Sequence, residues 1–156
     1  MKSELKKEFA LRISQANNVE MILIGYEMVL EYINEAKENK DNGSIYDTSV
    51  DLAGKCVSEL LSNLHYEYEP AVALKHLYLY IKSRLRDARY NNDYEALDEV
   101  KGYLERLHAS YLGVKDCDTS KSVMENAQTV VAGMTYGKNQ TLDVFSQNVN
   151  NRGFLA

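Results

Sequence analysis

Residues 17–40 read Asn17-Asn-Val-Glu-Met-Ile-Leu-Ile-Gly-Tyr-Glu-Met-Val-Leu-Glu-Tyr-Ile-Asn-Glu-Ala-Lys-Glu-Asn-Lys40, and this stretch decides the fold. Val19, Ile22, Tyr26, Val29, Ile33 and Ala36 recur at three-four spacing, which places them on one face of a long helix. Met21, Ile24 and Met28 form a second stripe, rotated away from the first, and Leu23 and Leu30 fill part of the gap. A surface helix of a small bundle needs only one buried stripe. A helix with two has to be covered twice, once by its own bundle and once by something else. Asn17 suits the N-cap, and Glu20 three residues on completes a capping box. The polar run from Asn39 to Gly43 supplies the stop.

Three more helices follow the same rhythm. The second carries Tyr46, Val50, Ala53, Val57, Leu60 and Leu64, widened by Leu52, Cys56 and Leu61, with Ser44 as the expected N-cap. Pro70, the only proline, biases Glu69 away from helix and fits the first turn of the next one. The third helix carries Leu74, Leu77, Tyr78, Ile81, Leu85 and Ala88. After the Asn91-Asn92-Asp93 turn, with Asp93 as cap, the fourth carries Leu97, Val100, Leu104, Leu107 and Tyr111 and is expected to stop at Gly113. Connections are short, so sequential helices should be antiparallel neighbours. The expected fold class is all-α: an antiparallel up-down four-helix bundle over residues 17–112. It is flanked by a short N-terminal segment, 1–16, and a C-terminal extension, 113–156.

The flanks differ in kind. Leu5 and Phe9 lie one helical turn apart, so residues 1–16 read either as a frayed end or as a short amphipathic helix that docks on the first long one. Residues 121–132 fit one short helix. From Gly133 the chain is rich in Asn, Gln, Gly, Ser and Thr, and its isolated apolar residues cannot bury enough to fold alone, so a flexible extension is expected.

A chain of 156 residues suits one domain and can bury roughly 70% of its unfolded surface, which makes metal or disulfide staples unnecessary. The formal net charge is −5, and there is no block of lysine and arginine of the kind that neutralises phosphates, which argues against nucleic acid as the main partner. Cys56 and Cys117 stand alone and far apart, unlike a disulfide framework. The N-terminus is charged with both signs and leads into no long apolar run, so neither a signal peptide nor membrane insertion is expected, and the cytoplasm is the default compartment.

Catalytic patterns are missing from the sequence. A di-metal site in a bundle needs two Glu-x-x-His pairs on different helices, and only Glu105-x-x-His108 is present. The histidines and cysteines show no zinc spacing, and no phosphate-binding or nucleophile-elbow motif occurs. We therefore expect no enzyme, no metal and no cofactor. Tyrosine is the unusual residue: there are 12, against 3 phenylalanines and no tryptophan. Tyr26, Tyr46, Tyr78 and Tyr111 fall on core stripes, whereas Tyr32, Tyr66, Tyr68, Tyr80, Tyr90, Tyr94 and Tyr103 fall elsewhere. The latter are either scattered amphipathic surface or a recognition surface, since tyrosine gives large contact area at low entropic cost. Leu79 beside Tyr80, off the core stripe, leans toward recognition.

Leu74-Lys-His-Leu77-Tyr78-Leu-Tyr80-Ile81-Lys-Ser-Arg84-Leu85 resembles the third helix of the FliS family of flagellin-specific export chaperones, where a Leu-x-x-Leu-Tyr-x-Tyr-x-x-x-Arg-Leu pattern recurs. Leu97-Asp-Glu99-Val100-Lys-Gly102-Tyr-Leu104 is similar to its fourth helix, the run from Met21 to Leu30 to its first, and Leu64 to Glu69 to the close of its second. The resemblance spans Ala16 to Tyr111. There are departures: Asn17-Asn18 stands where the family has Ser-Pro or Thr-Pro, Glu27 and Met28 replace an acidic residue and glycine, and Leu79 replaces an aspartate.

The resemblance implies a cytoplasmic chaperone that binds the disordered C-terminal segment of flagellin, prevents premature polymerisation and presents the subunit to the export gate. On this reading Met21, Ile24 and Met28 line the client groove, with Leu79, Tyr80 and Tyr103 as further contact points. The segment with Phe9, Leu11 and Ile13 is then a lid that client displaces. The plainer alternative packs Met21, Ile24 and Met28 under that segment permanently. The rival from another class is a structural helical module whose apolar surplus is a homodimer interface. A tail docked on another copy would also produce a homo-oligomer.

Overall fold

A computed structural model describes residues 3–66, 70–115, 117 and 123. Among the described residues all regular structure is helical, in five helices: α1 Ser3–Gln15, α2 Asn18–Glu38, α3 Gly43–Ser62, α4 Pro70–Tyr90 and α5 Glu95–Lys115. The four long helices expected from periodicity are present, and the N-terminal segment adds a helix of its own.

Local chemistry sets most of the boundaries. The side chain of Asn17 accepts a hydrogen bond from the Glu20 amide, and Glu20 accepts one from the Asn17 amide, so the capping box that opens α2 is complete. Pro70 is the first residue of α4, where its missing N–H costs nothing. Asp93 Oδ1 accepts from the Ala96 amide at the start of α5 (3.3 Å). The turn before it places Asn92 at φ 53°, a left-handed conformation that asparagine tolerates better than most residues. Three boundaries differ from the sequence expectation. Helix α3 ends at Ser62, so Leu64 lies beyond it. The cap of α3 is Asn42, whose side chain accepts from the Ile45 amide, so Ser44 lies inside the helix. Helix α5 runs through Gly113 to Lys115, one glycine being too weak a breaker to end it.

Helix α2 packs on α3 and α5, α4 packs on α3 and α5, and α1 lies against α2. Cross-helix contacts pair early residues of one helix with late residues of the next. Glu35 of α2 accepts from Ser49 of α3 (2.8 Å), while Gly25 faces Leu60. Tyr46 of α3 donates to the Ala88 carbonyl of α4 (2.9 Å). Between α2 and α5, Lys37 pairs with Asp98, Lys101 donates to Asn34, and Glu20 meets Lys115.

The core follows the expected stripes. Tyr26, Val29, Ile33, Ala36, Ala53, Val57, Ile81, Ala88, Leu97, Val100 and Leu104 are wholly buried. At the stripe ends Val19, Ile22, Leu64, Leu74, Leu77, Leu107 and Tyr111 are only partly covered. Tyrosine hydroxyls taken into this core need partners. Those of Tyr26 and Tyr78 bond each other (2.5 Å), and the Tyr111 ring meets Tyr26 edge-on. Burial drives both Tyr26 and Tyr78 hydroxyls to higher pKa, so they remain neutral donors and acceptors.

Candidate functional site

Helix α1 lies against α2 and shares a buried apolar cluster with its second stripe. Helix α1 is amphipathic at four-residue spacing: Phe9 and Ile13 are buried and Leu5 is partly buried, while Ser3, Glu4, Lys7, Glu8 and Gln15 face outward. Phe9, Ile13 and Ala16 belong to one continuous apolar cluster with Ile24, Met28 and Tyr32, and Met21 is partly buried against it. Leu11, grouped with Phe9 and Ile13 in the sequence reading, is 43% exposed on the outer side of α1 and takes no part in the cover.

Charge fastens the same contact. Arg12 Nη1 of α1 donates to Glu27 Oε2 of α2 (2.5 Å), and the other carboxylate oxygen lies 3.2 Å from His108 Nε2 of α5. Burial alone would raise the Glu27 pKa, but hydrogen bonds from Arg12 and His108 outweigh it and hold the carboxyl below its ordinary range. Arg12 is shifted upward, first by its hydrogen bond to Glu27. His108 thus engages a carboxylate on another helix, whereas Glu105, its sequence partner in the half-motif for a di-metal site, lies 3.9 Å from Lys101. Among the described residues no three His, Cys, Asp or Glu side chains group to hold a metal ion.

Beside this contact α1, α2 and α5 enclose a cleft of about 340 Å³, lined by Arg12, Gln15, Glu20, Leu23, Leu112 and Lys115 among others. Its lining mixes both charge signs with leucine.

The remaining expected contact points lie on the outer face of α4 and α5, away from the covered stripe. Leu79 and Tyr80 are 44% and 43% exposed. Tyr80 stacks edge-on against half-buried Tyr103 (centroids 6.0 Å apart), and its hydroxyl donates to Glu99 (2.6 Å). Glu99 also accepts from Arg84 (2.7 Å), and both bonds hold its carboxyl below the usual range. The structure therefore divides the candidate residues into two groups. Met21, Ile24, Met28, Phe9 and Ile13 meet at the α1–α2 contact, whereas Leu79, Tyr80 and Tyr103 form a separate, solvent-facing aromatic pair with a neighbouring leucine.

Sequence reasoning missed three residues of the first group. Tyr32 was placed off the core, yet it continues Met28 by one helical turn and is 2% exposed. The spacing 21, 24, 28, 32 carried that signal. Arg12 and Glu27 sit on different helices and left no local pattern.

The fold and this surface define an all-α protein whose surplus apolar stripe is closed by its own N-terminal helix, with no helix among the described residues long and apolar enough to cross a membrane. The chain belongs to the FliS family: the family model described as "Flagellar protein FliS" matches residues 1–118, which takes in all five helices. Membership makes it a flagellar export chaperone, not an enzyme by family. No curated protein matches the chain.

Proposed function

We propose that this chaperone acts in the cytoplasm and binds the disordered C-terminal segment of flagellin on the stripe of Met21, Ile24, Met28 and Tyr32. On this reading α2–α5 form an antiparallel four-helix bundle, and α1 is a removable cover that occupies the client's place in the free protein. The observation that carries the site is that Ile24 and Met28 share one buried apolar cluster with Phe9 and Ile13 of a helix that packs mainly on α2 and whose exposed residues, Leu11 apart, are polar. An amphipathic client segment would present the same chemistry as α1, apolar residues one turn apart with polar ones outside, and would fold as it binds. Methionine at two positions suits a surface that has to accept more than one occupant.

Leu79, Tyr80 and Tyr103 serve as a second contact region, because a disordered client needs a wide surface to offset its ordering cost. The export gate would receive the loaded complex. Homodimerisation is not required to cover the stripe, since α1 does so within one chain. The test is titration of Ile24→Glu with a flagellin C-terminal peptide. A buried carboxylate under the client should abolish saturable binding while the helical content persists. Undiminished binding would remove the α2 stripe from the site.

A further inference from the structure

Tyr80 and Arg84 lie one turn apart on α4, and both bond Glu99 of α5. The Tyr80 hydroxyl donates to Glu99 Oε1 (2.6 Å) and Arg84 Nε donates to Glu99 Oε2 (2.7 Å), so each carboxylate oxygen accepts one bond. The rest of the guanidinium is engaged as well: Nη2 meets Asp93 Oδ2 (3.0 Å) and Nη1 meets Asp87 Oδ2 (3.2 Å). We propose that Arg84 is a positioning residue that acts through Glu99 to fix Tyr80 against Tyr103, and that the resulting aromatic platform takes an apolar side chain of the flagellin segment. The proposal rests on the second contact region described above and adds what holds that region in shape and what it accepts.

Anchorage on two sides gives Arg84 that role. Asp87 lies on its own helix, whereas Asp93 belongs to the turn before α5, and the other Asp93 oxygen accepts from the Ala96 amide in the first turn of α5 (3.3 Å). A planar guanidinium fixed in this way presents Nε in one direction, and the Glu99 carboxylate it holds is ordered before any client arrives. Tyr80 is then tied at its hydroxyl by Glu99 and at its ring by Tyr103, the two rings standing at 89°. Tyr103 is supported in turn by the Arg106 guanidinium over its ring (5.7 Å to the centroid). Ordering these side chains in advance removes a cost that binding would otherwise carry. The chemistry of the occupant follows from what is left unengaged. The Tyr80 hydroxyl proton goes to Glu99, and all three guanidinium nitrogens of Arg84 have carboxylate partners. What remains is carbon surface, the exposed Tyr80 ring beside exposed Leu79. A charged client group would have to displace an existing bond, whereas a leucine, isoleucine, valine or methionine has only to cover the ring and Leu79.

The test is a double-mutant cycle in the full-length chain, read by calorimetric titration with a flagellin C-terminal peptide. Tyr80→Phe keeps the ring and removes the hydroxyl, and Arg84→Gln removes the guanidinium. Each should weaken binding about five-fold, and the double variant by no more than about the same factor, because both break one link to Glu99. If Arg84→Gln does not fold, Glu99→Ala replaces it in the cycle and leaves the pairs of Arg84 with Asp87 and Asp93 in place. Fluorotyrosine labelling supplies a local readout: in Arg84→Gln the fluorine resonances of Tyr80 and Tyr103 should shift while those of buried Tyr26 and Tyr78 stay put. Additive losses in the double variant, parent-like binding by Tyr80→Phe, or shifts at every tyrosine would overturn positioning by Arg84. Peptides with single alanine substitutions identify the occupant. One apolar position should lose affinity for the parent but not for Tyr80→Ala, and coupling to a charged position instead would overturn the apolar occupant. Binding that Ile24→Glu abolishes and the Tyr80 and Arg84 variants leave intact rejects the platform and keeps the α2 stripe. A parent that takes up no peptide overturns the client reading and the platform's occupant together.

Discussion

Replacing Phe9 with alanine should tighten client binding. Phe9 is the largest side chain that α1 contributes to the cluster with Ile24, Met28 and Tyr32, and it is 4% exposed. Burying such a side chain contributes about 1.5–3 kcal/mol. In a closed core its loss would also leave a cavity, but α1 is an outer helix that packs mainly on α2 and can lift instead of enclosing a void. The substitution therefore shifts the docking equilibrium of α1 by about that transfer energy. A client that needs α1 displaced binds with an apparent affinity scaled by the open fraction. Raising that fraction by 1.5–3 kcal/mol corresponds to about ten- to hundred-fold tighter binding, with a ceiling reached once α1 is mostly open. The assay is calorimetric titration with a peptide covering the C-terminal segment of flagellin, accompanied by urea unfolding to establish that the remaining helices stay folded. Weaker or unchanged binding by a folded Phe9→Ala protein would refute the reasoning, because it would make α1 a permanent part of the core.

Other outcomes follow from the same structure. Asn17→Ala removes the side-chain oxygen that accepts from the Glu20 amide, while the Asn17 amide can still donate to Glu20, and should cost about 1 kcal/mol in urea unfolding; an unaltered midpoint would show that α2 does not depend on its cap. Glu27 is depressed by Arg12 and His108, so its contribution to holding α1 is present above the ordinary carboxylate range and fades as pH falls through the lowered value. Exchange of α1 amides, corrected for intrinsic rates, should accelerate in acid in the parent but show a flatter pH dependence in Glu27→Gln, and identical profiles would remove Glu27 from the contact. Burial pushes the Cys56 thiol up to about 12, whereas Cys117 is exposed. Alkylation at neutral pH should give a single adduct on Cys117 in the native protein and a second on Cys56 only in denaturant, and rapid native labelling of both would contradict the packing of α3.

How much of this was legible in the sequence depends on the range of the interaction. Asn17 and Glu20 announced the start of α2 because a capping box is complete within four residues. The stripes of α3, α4 and α5 were legible for the same reason, as periodicity is local. The misread boundaries are places where two local signals compete. Asn42 and Ser44 both make good caps, and Gly43 between them gave no basis for choosing. Gly113 resembled a stop, yet Val114 and Lys115 continue the helix.

At the candidate site the apolar surplus on α2 was visible, and so was the one-turn spacing of Leu5 and Phe9. The docking of α1 on α2 was one of two open readings, because amphipathic spacing does not say which groove a helix will find. Tyr32 was lost because its type suggested surface while its position suggested core, and position prevailed. Arg12, Glu27 and His108 come from three helices and meet only once the chain is folded. The Val123–Ala16 bond joins residues far apart in the sequence and had no signature at all. Apart from Val123, the expectations for a short helix over 121–132 and for the extension from Gly133 lie outside the described residues.

The central claim, that the stripe beneath α1 receives a disordered flagellin segment, is tested most directly by calorimetric titration of the full-length protein with the C-terminal peptide of a flagellin from the same organism at several temperatures. The account predicts saturable binding with a clearly negative heat-capacity change, because apolar surface is buried while the client folds. A folded protein that takes up no peptide at any temperature would contradict it.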